Sequence, residues 1–159
     1  MAESRARCTQ CNAEMTLQPI DPVCGEHGVL KIVFIQLPAL VCANAHRHFA
    51  VPDFPTLLLD RVAGEGLAKL PAAEKRGLFF KRYHCSACGA KLGGGETREE
   101  DFDSDITLEG LPPLRVELTA PLHRCASCGK EQVRSLERIR KLVPSAVTRA
   151  LKVADLRPN

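Results

Sequence analysis

Cys85-Ser86-Ala87-Cys88-Gly89 and Cys125-Ala126-Ser127-Cys128-Gly129 decide how this chain is read. A Cys-x-x-Cys turn supplies two adjacent corners of a tetrahedral metal site, and two such turns supply all four. The glycine after each second cysteine suits that geometry, because this position of a tight turn tolerates positive φ. Cys85, Cys88, Cys125 and Cys128 are therefore expected to hold one Zn2+ ion, with residues 89–124 closed into a loop at its base. Iron takes the same ligand set, and spacing alone does not separate the two metals. A thioredoxin-like redox pair is not expected, since neither turn sits between a strand and a helix.

Working outward, the composition suits small modules stapled by metal. The chain has 159 residues, 45% hydrophobic but only 4% aromatic and without Trp, so its core must come from Leu, Val, Ile and Ala. Such a core in roughly 80 residues is marginal, and a structural metal is a usual remedy. Eight cysteines and no secretory-type apolar run near Met1 point to a reducing, cytoplasmic setting, where thiols bind metal more often than they cross-link. No run of about 18 apolar residues occurs, so neither a spanning helix nor a membrane partner is expected. A net charge of +3 does not by itself indicate nucleic acid.

Upstream, Cys8-Thr9-Gln10-Cys11 opens a second candidate site. Pro19, Asp21 and Pro22 read as a turn, and Val29 to Ile35 as a buried β-branched strand. Leu37-Pro38-Ala39-Leu40-Val41-Cys42 then returns to a cysteine, with His46 and His48 just beyond. The favoured ligands are Cys8, Cys11, Cys42 and His46. His48 competes for the fourth position, and Cys24-x-x-His27 offers a different completion; under the favoured reading Cys24 and His27 are loop residues. A helix over Thr56 to Val62 is expected to end at Gly64 and Gly66, with a second short helix after Pro71. The module boundary falls between residues 70 and 71, giving modules 1–70 and 71–159.

Downstream, Leu78 to His84 reads as a strand running into the Cys85 turn, and Leu92 to Gly95 as a flexible tip. Glu96 to Asp105 carries six acids against the single Arg98 and reads as an exposed loop. Ile106 to Leu108 and Leu114 to Leu118 form a hairpin, with Pro112 and Pro113 near its turn. Val133 to Leu151 has helical periodicity, with Leu136, Ile139, Val143, Val147 and Ala150 on one stripe. Pro144 should break or kink it. His84 and His123 precede the knuckles and read as packing or supporting groups.

The halves can be laid over one another. Cys8-x-x-Cys11 matches Cys85-x-x-Cys88, and Leu30-Lys31-Ile32 matches Leu114-Arg115-Val116. Val51-Pro52-Asp53 matches Val143-Pro144-Ser145. The expected fold class is α+β: tandem zinc-ribbon modules, each followed by a helix.

Residues 8–62, with the strand before Leu37-Pro38-Ala39-Leu40-Val41-Cys42, resemble the YgiT-type zinc-finger domain, the metal-binding half of MqsA-like antitoxins. Residues 85–151 resemble it more loosely. The resemblance implies a zinc ribbon that serves as a protein-docking or dimerising platform. Two departures bear on it. Cys42-x-x-x-His46 stands where the family has a second Cys-x-x-Cys. A second cysteine module also follows where the antitoxins carry a helix-turn-helix.

Four protein ligands per site leave no open position, which marks a structural rather than a catalytic metal. No nucleophile–base pair or phosphate loop is evident, and the chain reads as non-enzymatic. A protein-interaction or regulatory module is the first functional expectation, the acidic stretch offering itself to a basic partner. The alternative is a nucleic-acid-binding transcriptional regulator. Lys130, Arg134, Arg138, Arg140, Lys141, Arg149 and Lys152 face only Glu131 and Glu137 in that segment. An enzyme would need chemistry at Cys24, His27 or His48.

Overall fold

The computed structural model describes residues 6–79, 82–93 and 97–159. The fold is α+β, built from antiparallel strands and two α-helices. Its largest sheet is made by both halves of the chain. The hairpin β2 (Val23–His27) and β3 (Leu30–Ile35) comes from the first half. The longer hairpin β8 (Thr97–Ile106) and β9 (Leu114–Arg124) comes from the second. β3 and β9 pair antiparallel, with Ile32 opposite Leu118 and Phe34 opposite Val116. Further along the same edge of β9 lies the short β10 (Glu131–Gln132).

Period-two burial explains this sheet. Leu30, Ile32 and Phe34 alternate inward on β3, and Leu114, Val116, Leu118, Ala120 and Leu122 do so on β9. Onto that face packs α2 (Leu136–Val153), through Ile139, Val143, Ala146, Val147 and Ala150, and α1 (Phe54–Arg61) lies against α2 and joins the same core through Phe54 and Leu58. The approach of α2 to β2 is close. A Cβ on Gly25 would collide with the Ala146 carbonyl oxygen and lie 2.7 Å from the Ala150 nitrogen. The core therefore takes residues from both sides of the boundary at 70/71, and the β3–β9 ladder crosses it.

A second sheet carries β1 (Met15–Pro19), β4 (Pro38–Cys42) and β5 (Arg47–Phe49), with β4 in the middle. A small hairpin, β6 (Glu74–Arg76) and β7 (Arg82–His84), leads into Cys85.

Several expectations are corrected. The acidic stretch is strand β8, not a loop; Glu96 lies outside the described residues. Its acids alternate with Phe102, Ser104 and Ile106, so Glu99, Asp101, Asp103 and Asp105 are exposed while Ser104 and Ile106 are buried. The segment after Pro71 is not helical. The Ala73 and Val133 amides donate to the Val133 and Pro71 carbonyls at 2.9 and 2.7 Å, which draws the segment out beside Val133. Cys24 and His27 sit on β2, opposite Val33 and Leu30. Of the expected strand over Leu78 to His84, only Arg82–His84 forms one; Leu78 and Phe79 precede it as a bend, and Phe80 and Lys81 lie outside the described residues.

The α2 helix starts later than periodicity suggests, at Ser135, whose hydroxyl caps it by accepting from the Arg138 amide at 3.3 Å. It also runs through Pro144. Pro144 and Arg140 are both exposed, so water can take the carbonyl that the missing amide leaves unpaired. Helix α1 begins at Phe54, with Pro55 in its first turn, and Gly64 and Gly66 fall in a π-helical turn over Val62–Gly66.

The repeat takes a different alignment from the one read in the sequence. The strand that runs to Cys42 is β4, so β4 corresponds to β9, and β1–β4–β5 corresponds to β8–β9–β10. The hairpin β2–β3 is then an insertion in the first half, and it is the element that joins the halves. Val51-Pro52-Asp53 precedes α1, whereas Val143-Pro144-Ser145 lies inside α2, so these segments are not counterparts.

Candidate metal centres

Each knuckle is a backbone device before it is a ligand set. Cys8, Cys85 and Cys125 each donate their amide to the carbonyl five residues on and accept from the amide four residues on. The fourth residue after each must turn left-handed, and Asn12, Gly89 and Gly129 there have φ of 60°, 77° and 82°. Asparagine is among the few non-glycine residues that tolerate this region. The Cys42 knuckle is one residue tighter. Ala45 takes the positive φ and donates to the Cys42 carbonyl at 3.0 Å, and the next residue, His46, supplies the ligand atom.

These turns converge in two clusters, Cys8, Cys11, Cys42 and His46, and Cys85, Cys88, Cys125 and Cys128. Within each, the four donor atoms lie within 4.8 Å of one another. A tetrahedral zinc with ordinary bond lengths sets its sulfurs about 3.8 Å apart and sulfur to nitrogen about 3.6 Å. The first cluster has Cys11 and Cys42 sulfurs 3.7 Å apart, and His46 Nδ1 stands 3.5 and 3.4 Å from Cys8 and Cys42. The second has Cys85–Cys128 and Cys88–Cys125 separations of 3.6 Å. All eight cysteines are unbridged. Both groups can hold a metal ion.

The competing ligands take other positions. Cys24 and His27 belong to neither cluster. His48 is buried on β5, with Nε2 3.2 Å from the Cys8 sulfur and Nδ1 3.3 Å from the Pro158 carbonyl, to which it donates. It packs against Cys8 from outside the four-donor group. The C-terminal residues add to this packing. Asn159 accepts from the Thr9 amide and donates to the Arg7 carbonyl, both at 3.1 Å. The Phe49 amide donates to the Arg157 carbonyl at 2.9 Å.

At the second cluster the supporting residue is Gln132, fully buried on β10. Its amide donates to the Cys85 sulfur at 3.1 Å, and its carbonyl accepts from the Ser86 amide and hydroxyl at 3.0 and 3.2 Å. The Gln132 hydrogen bond is the main reason that Cys85 falls to about 6. The Asn44 side chain does most to bring Cys11 to about 6. Amides of Cys128 and Ser127 lower Cys125, while burial raises Cys8. Cys88 stands at about 11: the Ala90 amide lowers it, but the neighbouring Cys125 sulfur and burial outweigh that. His84 Nδ1 donates to the Gly89 carbonyl at 3.1 Å and steadies the same turn.

Neither the Gln132 brace nor the C-terminal clamp was legible in the cysteine spacing. The one local signal was Asn12, standing where the later knuckles have glycine. No protein-family model, curated protein or solved structure matches the chain.

Proposed function

We propose that this chain is a non-enzymatic zinc protein, a tandem zinc ribbon with two structural ions that presents a surface to a protein partner or serves as a regulatory module. The observation that carries the reading is that each cluster supplies four protein donors at tetrahedral separations. An ion so held has no coordination position left for substrate or water. At the first cluster zinc is preferred to iron because three thiolates with one imidazole is an established structural zinc set, and the second cluster is assigned the same ion by analogy with the first. A docking role is also what the resemblance of residues 8–62 to the YgiT-type zinc-finger domain implies, a resemblance that no family-model match accompanies. A cytoplasmic location is part of the same proposal and rests on the thiol ligands. Among the described residues no helix is long and apolar enough to cross a membrane.

Two exposed features support docking. Leu78 and Phe79, beside the β6–β7 hairpin, are 93% and 92% exposed. The carboxylates of Glu99, Asp101, Asp103 and Asp105 line the outer face of edge strand β8. The test is co-purification from the native source, comparing the wild-type chain with L78D/F79D and D101K/D103K at equal zinc content. A partner lost from either variant supports the proposal; a partner indifferent to both contradicts these surfaces.

A second reading is a nucleic-acid-binding regulator. It is favoured by the exposed Arg134, Arg138, Arg140, Lys141, Arg149 and Lys152 on and beside α2. Affinity for duplex DNA or RNA that falls steeply with salt and disappears in R138E/R140E supports it. Unchanged binding removes the helix from that role.

A further inference from the structure

A cleft of about 370 Å³ opens between the start of α2, the end of β9 and strand β7. Its walls are apolar. Val133 and Ile139 are buried, Pro121 lies beside them, and Val29 reaches in from the β2–β3 turn although 56% exposed. The cleft is thus built by both halves of the chain and is of a size that small-molecule sites occupy.

Its charged groups are two, and both are cationic. Arg134 stands over the Tyr83 ring, 5.8 Å from its centre, and Arg138 lines the cleft one helical turn on. Among the described residues neither guanidinium has a carboxylate partner, while Glu137 between them is engaged by Lys75 and Lys141 at 3.0 and 3.8 Å. The Ser135 hydroxyl is spent internally, accepting from the Tyr83 hydroxyl at 3.0 Å and from the Arg138 amide. The helix end is therefore already capped, and the attraction for an anion comes from the two guanidiniums. His123 Nδ1, in the same lining, is buried without a hydrogen-bond partner. A buried ring nitrogen left unmet is costly.

We infer that this cleft binds a small organic acid, its carboxylate held by Arg134 and Arg138 and its apolar body seated against Val29, Val133 and Ile139. Arginine pairs suit a planar carboxylate because their donors form a fixed fork. His123 Nδ1 and Ser104 Oγ are the buried side-chain atoms without a partner among the described residues, and of the two only His123 belongs to the cleft lining. This goes beyond the docking role, since it gives the chain a soluble ligand that could bias the junction of its halves.

The test is an NMR titration of the zinc-loaded full chain with 4-phenylbutyrate and with its uncharged amide. Saturable shifts confined to Val29, Tyr83, Val133 and Ile139 are expected for the acid. Binding should weaken at least about ten-fold for the amide and in R134Q/R138Q, the loss of about one charge-assisted contact. R149Q, on another part of α2, should bind as wild type. No localised shift, equal binding of acid and amide, or full affinity in R134Q/R138Q would overturn the inference.

Discussion

The Gln132 side-chain amide donates to the Cys85 sulfur at 3.1 Å from a residue with no exposed surface. Gln132 thereby sets the charge of one ligand and, through Ser86, the shape of its knuckle. Q132L keeps the volume and removes both contacts. Outer hydrogen bonds of this kind are worth about 10–100-fold in metal affinity. Q132L is expected to weaken zinc at the second site by that order and leave the first unchanged, read by competition with a chromophoric chelator. Equal affinities would show that Gln132 only fills space.

The first site depends on the chain's last residues. Deleting residues 157–159 removes the Asn159 contacts to the first knuckle and the Pro158 acceptor of His48. Zinc affinity at the first site should fall by about ten-fold, with the second site untouched. Equal loss at both sites would mean that the tail stabilises the whole fold rather than the Cys8 knuckle.

The pH dependence follows from Cys11 and Cys85, both depressed from the ordinary thiol value of 9.0 to about 6. A depressed acid stabilises the folded chain fully above its unfolded value. That contribution shrinks as pH falls from about 9 and is gone below about 6. Protons then also compete with metal. In the metal-free chain the Cys11 and Cys85 thiols should ionise near pH 6, read by thiolate absorbance, while Cys88 stays protonated to about 11. Absence of thiolate below about pH 8 would contradict these assignments.

The core contact most sensitive to substitution is Gly25 against α2. In G25A the added methyl meets the Ala146 carbonyl oxygen, so strand and helix must separate. A cost of about 3 kcal/mol is expected, measured by urea unfolding of the zinc-loaded protein. A change near zero would mean that the helix can shift freely over β2.

The pairing of Phe34 with Val116 makes the halves interdependent. F34A should cost about 3–5 kcal/mol and lower the stability of both halves in one transition. Two separate transitions, only one of them shifted, would show that the modules fold alone.

What the sequence made legible was the part dictated by ligand chemistry and by periodicity. Cys-x-x-Cys spacing brought out the second group of donors and half of the first, Cys42 and His46 came from laying the two halves over one another, and the stripe of Ile139, Val143 and Val147 brought out α2. Long-range pairing was not legible. Nothing local to Leu30–Ile35 says that its partner is β9, because the insertion β2–β3 carries the same inward alternation as any ribbon strand. The charges of the acidic stretch hide a period of two, with Phe102, Ser104 and Ile106 turned to the core. Gln132 and Asn159 act through contacts 47 and 150 residues away in sequence, beyond the reach of any motif.

On the function proposed above, two closed zinc sites hold this fold. Native mass spectrometry of the gently purified protein, with metal identified by elemental analysis, tests it most directly. Two zinc ions per chain are predicted, one per cluster, falling to one in C85S and, separately, to one in C8S. A single zinc in the wild-type protein, or a metal content unchanged by either substitution, would contradict it.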